Sequence, residues 1–288
     1  MLAPPVFFAF GAMVCWAFGD FFIQRTTRKI GSIESLFWIG LIGSIGLFPF
    51  VIADLPAIFS IQNAPFLLFL GAWTFLVAIV NFEALRIGKL SVVDVILEIE
   101  LPITIVLALV FFGESLTVLH LGLMLLIFAG VLLISIEKLS LKHVRSSVEK
   151  GVHLAVLAAI GMGLLNFFTA MGARSVSPLA AIWLPAVVFT VLSLLALWHT
   201  GEENKIVSHA KAFPALILAQ GIFDTLAWTF FALALSTGVV SITTAITEAY
   251  PALAMLLALT FNREKIALHQ MAGALLAIIA SVYLGFYA

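Results

Sequence analysis

Charge is scarce in this 288-residue chain: 10% of the residues are Asp, Glu, Lys or Arg, whereas 63% are hydrophobic. Soluble domains carry about 25% charged and about 45–50% apolar residues, so this composition cannot cover a water-facing surface. Ten spans of about 20 residues would use roughly 200 positions. We therefore expect a membrane protein that has no room for a soluble catalytic domain.

Residues that build metal or redox sites are scarce as well. The single cysteine, Cys15, lies in an apolar run, so neither a disulfide framework nor a thiolate metal site is available. The six histidines form no pair at ligand spacing, and a net charge of −1 gives no basic surface for nucleic acid. We expect no metal, no cofactor and no nucleic-acid partner. The lipid bilayer is the first expected partner.

What the chain does have is a series of apolar stretches, each about as long as a membrane-spanning helix. We number them as segments 1 to 10, and they cover residues 4–23, 33–52, 64–85, 90–112, 117–136, 151–171, 178–199, 212–233, 240–261 and 267–287. The sequence therefore predicts an all-α membrane protein with ten transmembrane helices.

The two halves of the chain share one pattern, which indicates a duplicated five-helix unit. A shift of 150 residues superimposes like residues, namely Gly88 on Gly238, Ser91 on Ser241, Glu98 on Glu248 and Glu114 on Glu264. Because five is odd, the second unit enters the membrane in the opposite orientation, and the repeats are inverted. The predicted domains are a first repeat at 1–137, a charged linker at 138–150 and a second repeat at 151–288.

The basic residues mark one side of the membrane. Thirteen of the fourteen Lys and Arg residues follow odd-numbered segments, and only Arg174 follows an even-numbered one. The positive-inside rule then places the linker in the cytoplasm and both termini outside, in a cytoplasmic (inner) membrane.

Two motifs occur in both halves. One is the proline of segments 4 and 9 (Pro102, Pro251) before Gly113-Glu114 or Arg263-Glu264, and the other is the Ala-Leu-x-x-Gly end at Gly88 and Gly238. A third motif, Gly11 with Trp16, marks the start of segment 1. With these motifs the chain resembles the drug/metabolite transporter superfamily, in its ten-helix EamA-type branch, over nearly its whole length. The resemblance implies a carrier of small metabolites with a central cavity lined by segments 1, 3, 4, 6, 8 and 9. Many such relatives keep both termini in the cytoplasm, the reverse of the charge-based prediction.

Acidic residues inside the apolar segments are the main functional candidates, because a carboxylate at membrane depth costs about 2.5–3.5 kcal/mol on insertion scales. There are seven: Asp20, Glu83, Asp94, Glu98, Glu100, Asp224 and Glu248. Four of them, Glu98, Glu100, Asp224 and Glu248, lie near the middle of their segments with no basic residue within two turns. We expect these four to bind protons or substrate, or else to stay protonated and hydrogen-bonded within the bundle.

The repeat places Glu98 and Glu248 at related depths, where two carboxyl groups would share a proton. On a regular helix Glu100 points roughly 200° away from Glu98, so the two cannot line one narrow cavity. Asp20, near the end of segment 1, fits a salt bridge with Arg25 as well as it fits a transport role. For Asp94 three alternatives stay open: its side chain faces water, forms an ion pair with a nearby basic residue, or belongs to the candidate site.

Other residues on the cavity segments complete the candidate site. Pro102 and Pro251 each remove a helical hydrogen bond one turn after a glutamate, which predicts either an exposed carbonyl or a tolerated kink. Tyr250 offers a hydroxyl. Aromatic and amide side chains that suit a small organic substrate, or that serve packing alone, are Trp16, Asn81, Asn166 and Trp228.

Segment 10 carries a ridge of small residues at every fourth position, from Gly273 to Gly285. Such a ridge predicts close helix packing, either within the fold or in a homodimer.

Together these features predict a secondary active transporter, proton-coupled, that moves a small and possibly amine-bearing metabolite by alternating access. An uncoupled facilitator or exchanger is the main alternative. This sequence has no Ser-His pair and no metal motif at membrane depth, which argues against an intramembrane enzyme. A membrane scaffold would not need symmetry-related buried glutamates.

Overall fold

The computed structural model describes residues 3–87, 90–136, 151–262 and 266–288, with side chains for all of these except 85–87, 90–92, Asp94, Ala258 and Asn262. Within these ranges every regular element is helical, which confirms the predicted fold class. The helices are α1 Pro4–Ile30, α2 Ser32–Val51, α3 Leu55–Ile58, α4 Ala64–Ile87, α5 Leu90–Leu97, α6 Glu100–Phe111, α7 Val118–Ser135, α8 Val152–Ser175, α9 Ala180–Thr200, α10 Ile206–Ala212, α11 Pro214–Thr237, α12 Val240–Thr247, α13 Tyr250–Leu257 and α14 Leu268–Tyr287.

Nine spans in the described part of the chain are long and apolar enough to cross a membrane. Segment 4 is the predicted span missing from these nine; it carries three acidic residues, Asp94, Glu98 and Glu100, and forms two shorter helices, α5 and α6. Segment 9 is also divided, into α12 and α13, and it continues into a π-helical turn at Ala258–Asn262. The linker predicted at 138–150 lies outside the described residues.

Large apolar side chains cover the outside of the bundle. Val118 is 87% exposed, Leu268 is 86% exposed and Phe50 is 69% exposed. A continuous apolar surface of this kind aggregates in water unless something covers it, and here the bilayer provides the cover. The outward-facing side chains therefore agree with a multi-pass membrane protein.

Helices from the two halves of the chain pack against each other throughout the bundle. α1 packs on α11, α2 on α9, α4 on α8 and α7 on α14. Glycine permits the closest of these approaches: a Cβ atom built on Gly40 of α2 would lie 2.5 Å from Oγ1 of Thr190 on α9. The core is therefore shared between the halves and does not divide into two.

The small-residue ridge of segment 10 packs inside the fold. A Cβ atom on Gly273 of α14 would lie 2.5 Å from the carbonyl oxygen of Gly130 on α7. Polar side chains tie the same two helices at their ends, since Gln270 donates to the carbonyl of Ile134 at 2.9 Å and a ring nitrogen of His120 lies 3.0 Å from the carbonyl of Tyr287. The predicted homodimer through α14 would thus have to use the other, lipid-facing side of this helix.

Candidate functional site

Two helical spans are interrupted in the middle of the bundle, at matching places in the two halves of the chain. One interruption leaves Glu98 between α5 and α6, and the other leaves Glu248 between α12 and α13. Pro102 and Pro251 lie just beyond these points and have no amide hydrogen to give to the carbonyl one turn earlier. The amide of Leu101 instead donates to the carbonyl of Glu98, at 3.3 Å. Both prolines therefore accompany a tightened turn, in which i to i−3 hydrogen bonds such as that from Ala249 to Ile246 replace regular α-helical bonds.

The interruptions bring carboxyl groups from both halves of the chain together. A side-chain hydrogen bond joins Glu100 at the start of α6 to Glu248, which is 6% exposed. A second joins Asp20 of α1 to the hydroxyl of Tyr250 at the start of α13. Asp224 of α11 is near enough to Asp20 for the two carboxyl groups to interact electrostatically. We call Asp20, Glu100, Asp224 and Glu248 the carboxyl cluster.

Glu98 has a different neighbour. Its Oε1 atom lies 3.5 Å from the hydroxyl of Ser135 on α7, although Glu98 still interacts electrostatically with Glu100. The sequence repeat predicts a pair of Glu98 with Glu248, whereas the structure pairs Glu248 with Glu100. Glu98 and Glu100 thus have different neighbours, in agreement with the roughly 200° that separates them on a helix.

Aromatic side chains lie beside the carboxyl cluster. The ring of Trp16 on α1 packs edge-on against Trp228 of α11 at a centroid distance of 5.2 Å. Trp16 also contacts Phe231 at 5.1 Å and Tyr250 at 6.1 Å. We call these four side chains the aromatic box. It includes three residues predicted from the sequence, and it adds Phe231, which no signal marks among 26 phenylalanines.

Asp20 lies well inside its helix. Segment 1 was expected to end at residue 23, but α1 continues to Ile30 through a polar stretch and stops at Gly31, whose φ of 84° breaks the helix. Asp20 is therefore ten residues from the end of α1 and reaches Tyr250, while the guanidinium of Arg25 lies 3.8 Å above the ring of Phe21. Of the two alternatives for Asp20, its contact with Tyr250 favours a place in the site.

Asn166 takes part in helix packing. It is 2% exposed, and its Nδ2 atom lies 3.5 Å from the hydroxyl of Thr104 on α6. That hydroxyl lies 3.0 Å from the carbonyl oxygen of Glu100, to which it donates. Asn166 therefore supports the backbone that carries Glu100 and has no described contact with the carboxyl cluster itself.

Two further candidates stand apart. The Oδ1 atom of Asn81 on α4 is buried without a hydrogen-bond partner in the described part of the chain. Such an atom costs free energy unless a ligand or water satisfies it, so Asn81 keeps its place among the candidates. The side chain of Asp94 lies outside the described residues.

Comparison with known proteins agrees with this architecture. A crystal structure described only as that of a protein aligns with 100% of this chain and 98% of its own, with a TM-score of 0.77 and 16% sequence identity. At that identity the likeness shows the fold alone. No curated protein matches the sequence significantly. The model of the EamA-like transporter family matches the sequence twice, over residues 3–136 and 149–286.

Proposed function

We propose, since the chain belongs to the EamA-like transporter family, that it is a secondary transporter which exchanges protons for a small amine-bearing metabolite. The observation that carries this proposal is the hydrogen bond between Glu100 and Glu248, which joins the two halves of the chain at their helix interruptions. Asp20 interacts electrostatically with both glutamates, which supports a role of this site in proton coupling.

Geometry supports a role for protons. An ionised carboxylate only accepts hydrogen bonds, so two carboxyl groups can share one only when one of them carries a proton. Loss of that proton would place two negative charges side by side in a medium of low dielectric constant, where repulsion is strong. Protonation therefore controls whether α6 and the end of α12 stay together.

The surroundings of the carboxyl cluster favour a cationic substrate group. Carboxylates neutralise an ammonium group, and the faces of Trp16, Trp228 and Tyr250 attract cations through their ring quadrupoles. An amino acid or a choline-like amine has this chemistry. A proton and an ammonium group would compete for the same carboxyls, which couples the movement of one to the movement of the other.

Alternating access completes the proposal. Ten spans in two inverted five-helix repeats, with a site between them, would expose the carboxyl cluster to each side in turn. The pairing of helices across the halves supports such a rocking motion. We assign the linker side to the cytoplasm of a cell with a cytoplasmic (inner) membrane, because the basic residues follow the odd-numbered segments.

Glu248→Gln tests the proton role. Choline and the amino acids are first screened for a rise in melting temperature, since a ligand that binds the folded state stabilises it. Uptake of the stabilising compound into proteoliposomes is then measured across a pH gradient. We expect Glu248→Gln to abolish the pH dependence, because the amide cannot release a proton, while the protein still folds.

Glu202→Gln is the matched control, because Glu202 is 51% exposed and pairs with Lys205 far from the carboxyl cluster. A pH dependence that survives Glu248→Gln would exclude the proton role. The same vesicles distinguish a proton-coupled transporter from an uncoupled facilitator. A pH-sensitive dye in the lumen changes its signal during substrate uptake only if protons and substrate move together.

A further inference from the structure

The carboxyl cluster is closed off from one end of the bundle by packed apolar side chains. One continuous cluster reaches from Tyr250, beside Asp20, to Val240 at the start of α12. These positions are ten residues apart, and they are joined by α12 and the interruption at Glu248. We call this the apolar plug, and its buried members are Ala12, Cys15, Trp16, Ala108, Ala170, Ala227, Phe231, Leu235 and Val240.

A charged network lies at the outer end of the plug, and its centre is Glu114 in the segment after α6. The side chain of Glu114 is 7% exposed. Its Oε1 atom accepts from the amide of Val240 at 2.5 Å, and its Oε2 atom accepts from the amide and the hydroxyl of Ser241 at 3.0 and 2.7 Å. A carboxylate at this place also interacts favourably with the helix dipole of α12. Glu114 therefore ties the first half of the chain to the second.

Arg174 of α8 completes the network. Its Nη2 atom lies 3.8 Å from Oε1 of Glu114 and donates to the carbonyl of Gly238 at 2.7 Å, while Nε donates to the carbonyl of Leu235 at 2.9 Å. The guanidinium also lies 4.4 Å from the ring centroid of Phe112. Arg174 thus satisfies carbonyls at the end of α11 that have no helical partner.

We propose that Glu114 and Arg174 form a latch that holds the apolar plug shut at this end of the bundle. Four elements meet there, namely the segment after α6, the end of α8, the end of α11 and the start of α12. The path to this side cannot open until Glu114 leaves Ser241 and Arg174 leaves the end of α11. This inference rests on the alternating-access part of the proposed function. It assigns the opening of the path at this end to residues outside the carboxyl cluster.

The chain contains its own reporter for this step. Cys15 is the only cysteine, it belongs to the apolar plug, and it is 8% exposed. A membrane-impermeant maleimide, added to right-side-out or inverted vesicles, reacts with Cys15 only when the plug opens to the side of the reagent. No substrate is needed.

We expect Glu114→Gln and Arg174→Gln each to raise the rate of Cys15 labelling from the latch end about tenfold or more, because hydrogen bonds to a charged group are lost. Ser241→Ala should give a smaller rise, since it removes one donor and leaves both charges. Glu202→Gln, the same chemical change in an exposed ion pair at the other end, should change nothing.

Unchanged labelling in all three latch variants would overturn the latch, and so would an equal rise from both ends, which indicates general loosening of the fold. If Glu114→Gln fails to fold, Ser241→Ala still decides, because its effect must be confined to the latch end. A latch-end rise in protein that transports nothing would support the latch while it refutes the proposed transport.

Discussion

Tyr250 contacts both the carboxyl cluster and the aromatic box. Its hydroxyl bonds to Asp20 of the carboxyl cluster, and its ring packs 6.1 Å from Trp16 in the aromatic box. Because it is the first residue of α13, its position depends on the interruption after Glu248. A change in protonation at Glu248 would therefore reach the aromatic box through two residues of backbone.

Tyr250→Phe separates the two contacts of this side chain. The ring stays, whereas Asp20 loses a hydrogen-bond donor, a contribution of about 1 kcal/mol or more. We expect the melting temperature to fall by a few degrees, because this bond is made in the free protein. We also expect the KM of transport to rise roughly five- to tenfold, because Asp20 is no longer held in place.

Tyr283→Phe is the control for this substitution, because Tyr283 on α14 is 54% exposed on the outside of the bundle. An equal rise of KM in both variants would refute the assignment of the Tyr250 hydroxyl to the site.

At the scale of helices, the contact between α7 and α14 depends on the absence of side chains. Gly130→Ala would place a Cβ atom 2.6 Å from the carbonyl oxygen of Gly273, and backbone cannot yield as a flexible side chain does. We expect destabilisation of about 1–3 kcal/mol, as for overpacked cores, seen as a lower melting temperature in detergent.

Gly122→Ala on the same helix provides the comparison, because no atom lies within 4 Å of its added Cβ atom. Alanine favours a helix by about 0.5–1 kcal/mol over glycine, so Gly122→Ala should raise the melting temperature slightly. If both substitutions lower it equally, the close approach of α7 and α14 is not what Gly130 provides.

The ends of a helix could be predicted from the sequence where the helix is no longer than its apolar stretch. Segment 7 at 178–199 and α9 at Ala180–Thr200 are an example. α1 was predicted too short, because helix formation continues beyond the apolar residues until Gly31 stops it. Segment 4 was predicted as one helix, since hydropathy does not register the break near Pro102.

The members of the carboxyl cluster could be named from the sequence, but their contacts could not. Asp20, Glu100, Asp224 and Glu248 stand out because each is acidic in an apolar stretch. Which glutamate of segment 4 meets Glu248 depends on how the two halves of the chain pack, and the periodicity of one helix does not contain that information. The repeat of Glu114 at Glu264 marks Glu114 in the sequence. Its ion pair with Arg174 joins residues 60 positions apart, so it could be found only from the structure.

For the whole molecule, the basic residues predict the orientation. A green fluorescent protein fused after Ala288 should stay dark, because both termini are expected outside the cytoplasm, where this reporter does not mature when exported unfolded. Alkaline phosphatase at the same place should be active. Reporter activity in cells, corrected for the amount of fusion protein, provides the measurement.

Insertion of the same reporters in the 138–150 linker should give the opposite pattern. A bright fusion at Ala288 would contradict the prediction and would instead match the orientation of many EamA-type relatives. The single basic residue on the far side, Arg174, does not weaken the prediction, because its charge is already paired with Glu114.

The contact between Glu100 and Glu248 also constrains how the protein is made. Glu248 follows Glu100 by 148 positions, so a ribosome that adds roughly 5–20 residues per second needs about 7–30 s to supply it. During that time α6 lies in or near the bilayer with an acidic side chain that has no partner from the second half. Until α12 has been made, the cost of an acidic side chain at membrane depth is not offset by its partner from the second half.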